Sequence, residues 1–386
     1  MNAAMMNTPS INLAQLAPPY IRSIAPYQPG KPTPELAREL GLNEADIVKL
    51  ASNENPLGVS PKALAAIQKA LPELALYPDG AGFDLKAVIS RKFSVDAAQI
   101  VLGNGSNDIL ELAARTFLTP AKSAVYSQHA FAVYPLATQA VGATGIEVPA
   151  KNYGHDLDAM AAAITDTTGL VFIANPNNPT GTFLSAGDIA AFMTKVPSNV
   201  LVVLDEAYTE YLAPNLRGDS TRWLAQFPNL IISRTFSKAY GLAGLRVGYG
   251  LAHPEIIALF NRVRQPFNVN QLAQVAAAAA LDDADFIAES VQVNNDGMAQ
   301  LLAGFAALNL KHIPSYGNFV AVEVAPLGST STAATIFQKL LQKGVIVRPV
   351  ASYGMPTYLR ISIGTQAQNA AFLTALKGAL SSASNA

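Results

Sequence analysis

Through the middle of the chain, short continuous apolar runs alternate with stretches of helical period. The runs at 99–102, 123–126, 170–174, 200–204 and 229–233 are four or five residues long and rich in Val, Ile and Leu. Between them, 107–118, 134–141 and 185–194 space their apolar residues one helical turn apart, with Ser185 placed as an N-cap. Strands apolar on both faces, alternating with helices, predict a mostly parallel sheet between two helical layers. A further strand, 245–251, is interrupted by Gly248 and Gly250. Upstream, Pro61 opens a helix, and the turn Tyr77-Pro-Asp-Gly80 leads into another over 83–93. Downstream, 254–310 reads as one long helical region, and 318–324, 345–348 and 358–363 as strands with helices over 333–343 and 367–380. Residues 1–14 form a loose polar tail, and 16–34, with Pro18, Pro19, Pro26, Pro29, Pro32 and Pro34, an extended arm. The expected division is an arm and part of a small domain over 1–50, a large α/β domain over 51–280, and a small α+β domain over 281–386.

Composition removes several function classes. The 386 residues are 50% hydrophobic and 14% charged, with a formal net charge of −1 and no block of like charge. That leaves no electrostatic footprint for nucleic acid or an anionic membrane. There is no cysteine, so disulfides and thiolate chemistry are absent, and His129, His155, His253 and His312 lie too far apart in sequence for a metal motif. Neither a leader pattern nor a membrane-length apolar run is present, and a cytoplasmic protein is expected.

Candidate chemistry collects where such a sheet places ligands, beyond the carboxyl ends of its strands. Gly103-Asn-Gly-Ser-Asn107 opens directly into a helix, whose free N–H groups and dipole favour an anion. Asn175-Pro-Asn-Asn-Pro-Thr-Gly181 follows one strand and Asp205-Glu-Ala-Tyr208 the next. Lys238, in Thr235-Phe-Ser-Lys-Ala-Tyr-Gly241, follows a third, with Arg246 eight residues on. The intervals from Asn175 to Asp205 and from Asp205 to Lys238 each match one strand–helix–strand unit, so amide, carboxylate, lysine and phosphate loop converge. Alone, each is an ordinary turn, cap or surface lysine. Together they match pyridoxal 5'-phosphate, whose aldehyde takes a lysine and whose protonated ring nitrogen takes a carboxylate.

At these residues the chain resembles the fold-type I pyridoxal-phosphate enzymes, specifically class I/II aminotransferases of the histidinol-phosphate aminotransferase type. The resemblance runs from Pro26-Tyr-Gln-Pro-Gly30 to Leu359-Arg-Ile-Ser-Ile-Gly-Thr365. It implies a seven-stranded-type sheet in the large domain, with Lys238 forming the Schiff base, Asp205 facing the ring nitrogen, and Asn175 and Tyr208 at the phenolic oxygen. Gly105, Ser106, Asn107, Thr235, Ser237 and Arg246 would hold the phosphate, and Phe131 would stack on the ring where the family often has tyrosine or tryptophan. Tyr77 matches the tyrosine that reaches the other subunit's cofactor in a homodimer. Arg360 matches the carboxylate clamp, with Arg348, Tyr27 and Asn53 as further substrate-binding positions.

The implied reaction moves an amino group from an amino-acid or amino-alcohol phosphate donor to 2-oxoglutarate, with Lys238 shuttling the proton. Histidinol phosphate is the favoured donor. An aromatic amino acid is the alternative, followed by a threonine-phosphate decarboxylase-like reaction and a non-catalytic regulator of the same fold.

Overall fold

The computed structural model describes residues 12–27, 30–329 and 331–381, so residues 1–11 of the expected tail lie outside the described residues. A seven-stranded sheet organises the structure. In spatial order its strands are Ile100–Gly103, Gly248–Ala252, Leu230–Thr235, Leu201–Asp205, Thr168–Ala174, Ser123–Ser127 and Thr144–Val148. All run parallel except Gly248–Ala252, which is antiparallel to both neighbours. Alternation on the interior strand Thr168–Ala174 shows why the sheet is covered twice. Val171 and Ile173 join one apolar core, while Leu170 and Phe172 join the core on the opposite face. Every residue of Thr168–Ala174 is buried. Each such Val, Leu or Ile contributes about 1.5–3 kcal/mol of transfer free energy.

A second unit pairs Phe319–Glu323, Tyr358–Ser362 and Arg348–Pro349 in an antiparallel sheet, and Val48–Lys49 with Val345–Ile346 in a short parallel one. The helices Ala333–Gln342 and Gln366–Ser381 pack on it around Leu340, Phe372 and Leu376. Local signals set the helix starts. Ser60 and Asn270 accept from backbone N–H groups at the heads of Pro61–Ala70 and Gln271–Leu281, and Ser185 with Asp188 forms a reciprocal capping box.

Four expectations change. The arm is not uniformly extended: Pro19–Arg22 and Thr33–Leu40 are helical, because proline in a first turn gives up no hydrogen bond. The region 254–310 is three helices, Pro254–Val263, Gln271–Leu281 and Ala284–Ala307. The single strand expected at 345–348 is two short ones in different sheets. The edge strand Thr144–Val148 and the helix Leu157–Ala162 were not expected; the strand is mostly exposed and so carries no continuous apolar run. Among the described residues, no helix is long and apolar enough to cross a membrane, and no group of three His, Asp or Glu is placed to hold a metal ion.

Candidate active site

The carboxyl ends of Thr168–Ala174, Leu201–Asp205 and Leu230–Thr235 open into a cavity of about 200 Å³ between the two units. Its wall includes Tyr27, Asn53, Ser106, Asn107, Phe131 and Asp205, and likewise Tyr208, Thr235, Ser237, Lys238, Arg246, Arg348 and Arg360. Thirteen of the sequence-derived candidates therefore meet at one place, drawn from positions 27 to 360.

At the floor, Asp205 ends its strand 5% exposed. Its Oδ2 accepts from the Tyr134 hydroxyl at 3.0 Å, while Oδ1 is buried without a partner. Burial pushes the carboxyl up to about 6, with the Tyr134 hydrogen bond and the Lys238 charge opposing. Lys238 is half-buried and donates from Nζ to Ser52 O at 3.1 Å. Burial, then the positive field of Arg360 and Arg246, brings its amine down to about 8, against the attraction of Glu54 and Asp205.

Beside the lysine lies an anion seat. The helix Ser106–Phe117 begins at Gly105, where no side chain caps the free N–H groups. A Cβ on Gly105, at φ +85°, would stand 2.4 Å from Arg246 Nη2, and one on Gly248 would stand 2.6 Å from Ser106 N. Glycine therefore lets the guanidinium and the strand close on the helix start. Arg246, itself left-handed at φ 57°, donates from Nη1 to Ser237 Oγ at 3.3 Å.

Two more guanidiniums line the cavity. Arg348 and Arg360 are direct partners in the antiparallel ladder, 8% and 6% exposed. The Tyr27 ring lies 5.3 Å from the Arg348 guanidinium. Arg360 donates to Ala51 O at 2.7 Å and to Asn178 Oδ1 at 2.5 Å.

Besides Gly105, which packs against Arg246 of the wall, two candidates lie outside the cavity. Asn175 has both ends of its amide committed: Nδ2 donates to Leu184 O at 3.0 Å and Oδ1 accepts the Leu184 N–H at 2.8 Å. The amide that faces the cavity is Asn178, and since Arg360 occupies its oxygen, its NH₂ remains free to donate. The expectation for Asn175 is corrected accordingly. Tyr77 is 83% exposed and stacks on Phe267 at 4.8 Å, away from the cavity of its own chain. Asn53 reaches the wall, but its amide is engaged with Tyr208 and Ser362.

Sequence reasoning missed Tyr134, Asn178 and Tyr353. Tyr134 lies three residues beyond Phe131, and its buried hydroxyl meets Asp205 across 71 positions, a contact no local pattern announces. Asn178 was hidden by the near-symmetry of the Asn-Pro-Asn-Asn-Pro segment.

The residues fit pyridoxal 5'-phosphate on two observations. Asp205 Oδ1 is an orphaned buried acceptor that a protonated ring nitrogen would satisfy. The glycine cradle at Arg246 and the uncapped helix start offer cation and N–H groups to a phosphate.

A family model for aminotransferase class I and II matches residues 45–376. Histidinol-phosphate aminotransferase 1 of Thiobacillus denitrificans is 63% identical over 370 residues, covering 96% of this chain and 95% of that protein. The histidinol-phosphate aminotransferase of Methylobacillus flagellatus is 63% identical over 365 residues, covering 95% and 97%. The crystal structure of histidinol-phosphate aminotransferase from Sinorhizobium meliloti with pyridoxal-5'-phosphate superposes with a TM-score of 0.86 at 30% identity, covering 94% of this chain and 97% of that one.

Proposed function

The chain belongs to the class I and II aminotransferase family, and from that premise we propose that it uses pyridoxal 5'-phosphate to transfer the amino group of histidinol phosphate to 2-oxoglutarate. Histidine biosynthesis in the cytoplasm is the corresponding setting. The observation that carries the substrate is the buried Arg348–Arg360 pair, which lines the same cavity as Arg246. Two adjacent guanidiniums suit a phosphate dianion on one substrate and the carboxylates of the other. An aromatic amino acid brings one carboxylate and leaves a second buried cation without a counter-charge, which is costly.

In this reading Ser106, Asn107, Thr235, Ser237 and Arg246 hold the cofactor phosphate, Gly105 makes room for them, and Phe131 covers the ring. Asp205 Oδ1 accepts from the ring nitrogen, and Tyr208 and Asn178 donate toward the phenolic oxygen. The bound cofactor supplies an aldehyde that captures the amine and a cationic ring that accepts the electron pair left when the adjacent C–H bond breaks. Lys238 Nζ, its amine brought down to about 8, takes that proton and returns it to a neighbouring carbon. Arg360, Arg348 and Tyr27 orient the anionic end of the substrate.

The assembly is a homodimer in which Tyr77 reaches the cofactor phosphate of the other subunit, consistent with its 83% exposure. The large domain spans 51–280, flanked by 1–50 and 281–386. Half-reaction rates, followed by the loss of the cofactor's visible band, test the substrate. Histidinol phosphate should react faster than phenylalanine, and a phenylalanine rate more than tenfold higher, about 1.4 kcal/mol, overturns the choice.

A further inference from the structure

The loop that carries Asn53 enters the cavity wall with its hydrogen bonds running in one direction. Asn53 is 1% exposed and holds φ at 55°, a left-handed geometry that asparagine tolerates better than most residues. Its backbone N–H donates to Ser362 Oγ at 2.7 Å. The hydroxyl hydrogen of Ser362 then goes to Asn53 Oδ1, at 2.9 Å. With Oδ1 taken, Nδ2 turns to Tyr208 and donates to its hydroxyl oxygen at 3.0 Å. Asn318 Nδ2 holds Asn53 O at 3.0 Å and fixes the loop backbone. Tyr208 is 3% exposed, and burial pushes its phenol up to about 12, so it keeps its proton. A phenol that already accepts from an amide has one hydrogen left to give, and its open side is the cavity.

We propose that Asn53 is a positioning residue. Together with Ser362 it builds a one-way chain, Ser362 to Asn53 to Tyr208, that keeps the Tyr208 hydrogen aimed at the cofactor's phenolic oxygen. The proposal rests on the pyridoxal-phosphate reading above. Ser362 lies two residues beyond Arg360 on the strand Tyr358–Ser362, so the strand that presents Arg360 to the substrate also anchors the chain. A donated hydrogen bond stabilises the ionised phenol of the cofactor and lowers the pH at which it loses its proton.

Asn53→Asp tests the direction. It keeps the shape of the side chain and its tolerance of the left-handed backbone, but offers acceptors at both ends, so Tyr208 turns its hydrogen away from the cavity. The measurement is the pH midpoint of the visible absorbance of the holoenzyme, together with equilibrium binding of pyridoxal phosphate to the cofactor-free protein. Asn53→Asp should raise the midpoint by about one pH unit and weaken binding about tenfold. Tyr208→Phe should do the same, and adding Ser362→Ala to it in a double variant should move the midpoint no further, because both act through the one Tyr208 donor. Ser362→Ala should move the midpoint in the same direction by less. An unchanged midpoint in Asn53→Asp, or additive shifts in the double variant, overturns the proposal. Should Asn53→Asp fail to fold, the cycle of Ser362→Ala with Tyr208→Phe decides by the same criterion. A wild-type protein that develops no visible band with pyridoxal phosphate overturns the cofactor reading, and this proposal with it.

Discussion

Asp205 offers the sharpest test of the site, because its cost is measurable without any reaction. Burial lifts its carboxyl from 3.8 to about 6 in the cofactor-free fold. The native state therefore binds this proton more tightly than the unfolded chain does. The associated stability is complete at acid pH and is lost as pH rises from about 4 through 6. A shift of about two units corresponds to roughly 3 kcal/mol. Asp205→Asn has no proton to lose and should escape that loss. Urea unfolding of the cofactor-free proteins at fixed protein concentration, from pH 4 to 7, measures both. The advantage of the variant should grow by roughly 2.5 kcal/mol across that range, most of the value implied by the shift. Adding pyridoxal phosphate should reverse the order, since a cationic ring nitrogen at Oδ1 keeps the carboxylate charged and paired. Parallel pH curves for the two proteins would show that the orphaned oxygen is solvated, and the reasoning would fail.

Three further outcomes follow from the same geometry. Lys238→Ala should fold and bind cofactor, yet borohydride should no longer fix cofactor mass to the chain, and the half-reaction should slow by about 10²–10⁴-fold; a borohydride-stable adduct at another residue refutes the assignment. Arg360→Lys removes a buried planar fork and should raise the KM for 2-oxoglutarate by about 10–100-fold, the equivalent of about 1.5–3 kcal/mol, in steady-state assays; an unchanged KM refutes the clamp. Gly105→Ala places a methyl 2.4 Å from Arg246 Nη2 at φ +85° and should weaken cofactor binding at least about tenfold in a fluorescence titration, with about 1–2 kcal/mol lost in unfolding from backbone strain; retained affinity shows that the arginine has room to move.

What could be read from the sequence follows from how local each signal is. Strands such as Thr168–Ala174 are legible because burial on both faces writes a continuous apolar run. Thr144–Val148 was not, because an exposed sheet edge imposes no such run. The strand-end carboxylate and lysine were legible through their spacing, which the strand–helix–strand unit fixes. The choice between Asn175 and Asn178 was not, because both precede a proline and only tertiary contacts with Leu184 and Arg360 tell them apart. Tyr134 was illegible for the same reason, since its partner Asp205 stands 71 positions away. The Asn53–Ser362 contact spans 309.

The distribution of charge also explains why a lysine in this position works as a base. Arg246 and Arg360 both line the cavity, and both push the amine of Lys238 below its ordinary value. In the proposed reading those same guanidiniums would seat anions, Arg246 the cofactor phosphate and Arg360 the anionic end of the substrate. Filling a seat cancels the positive field that depresses the lysine, so its basicity rises as the site fills. Without anions in those seats, burial and the two arginine fields together hold the amine down. The lysine therefore becomes a stronger proton acceptor at the stage when a carbon acid lies beside it, and substitution of either arginine should disturb proton transfer as well as binding.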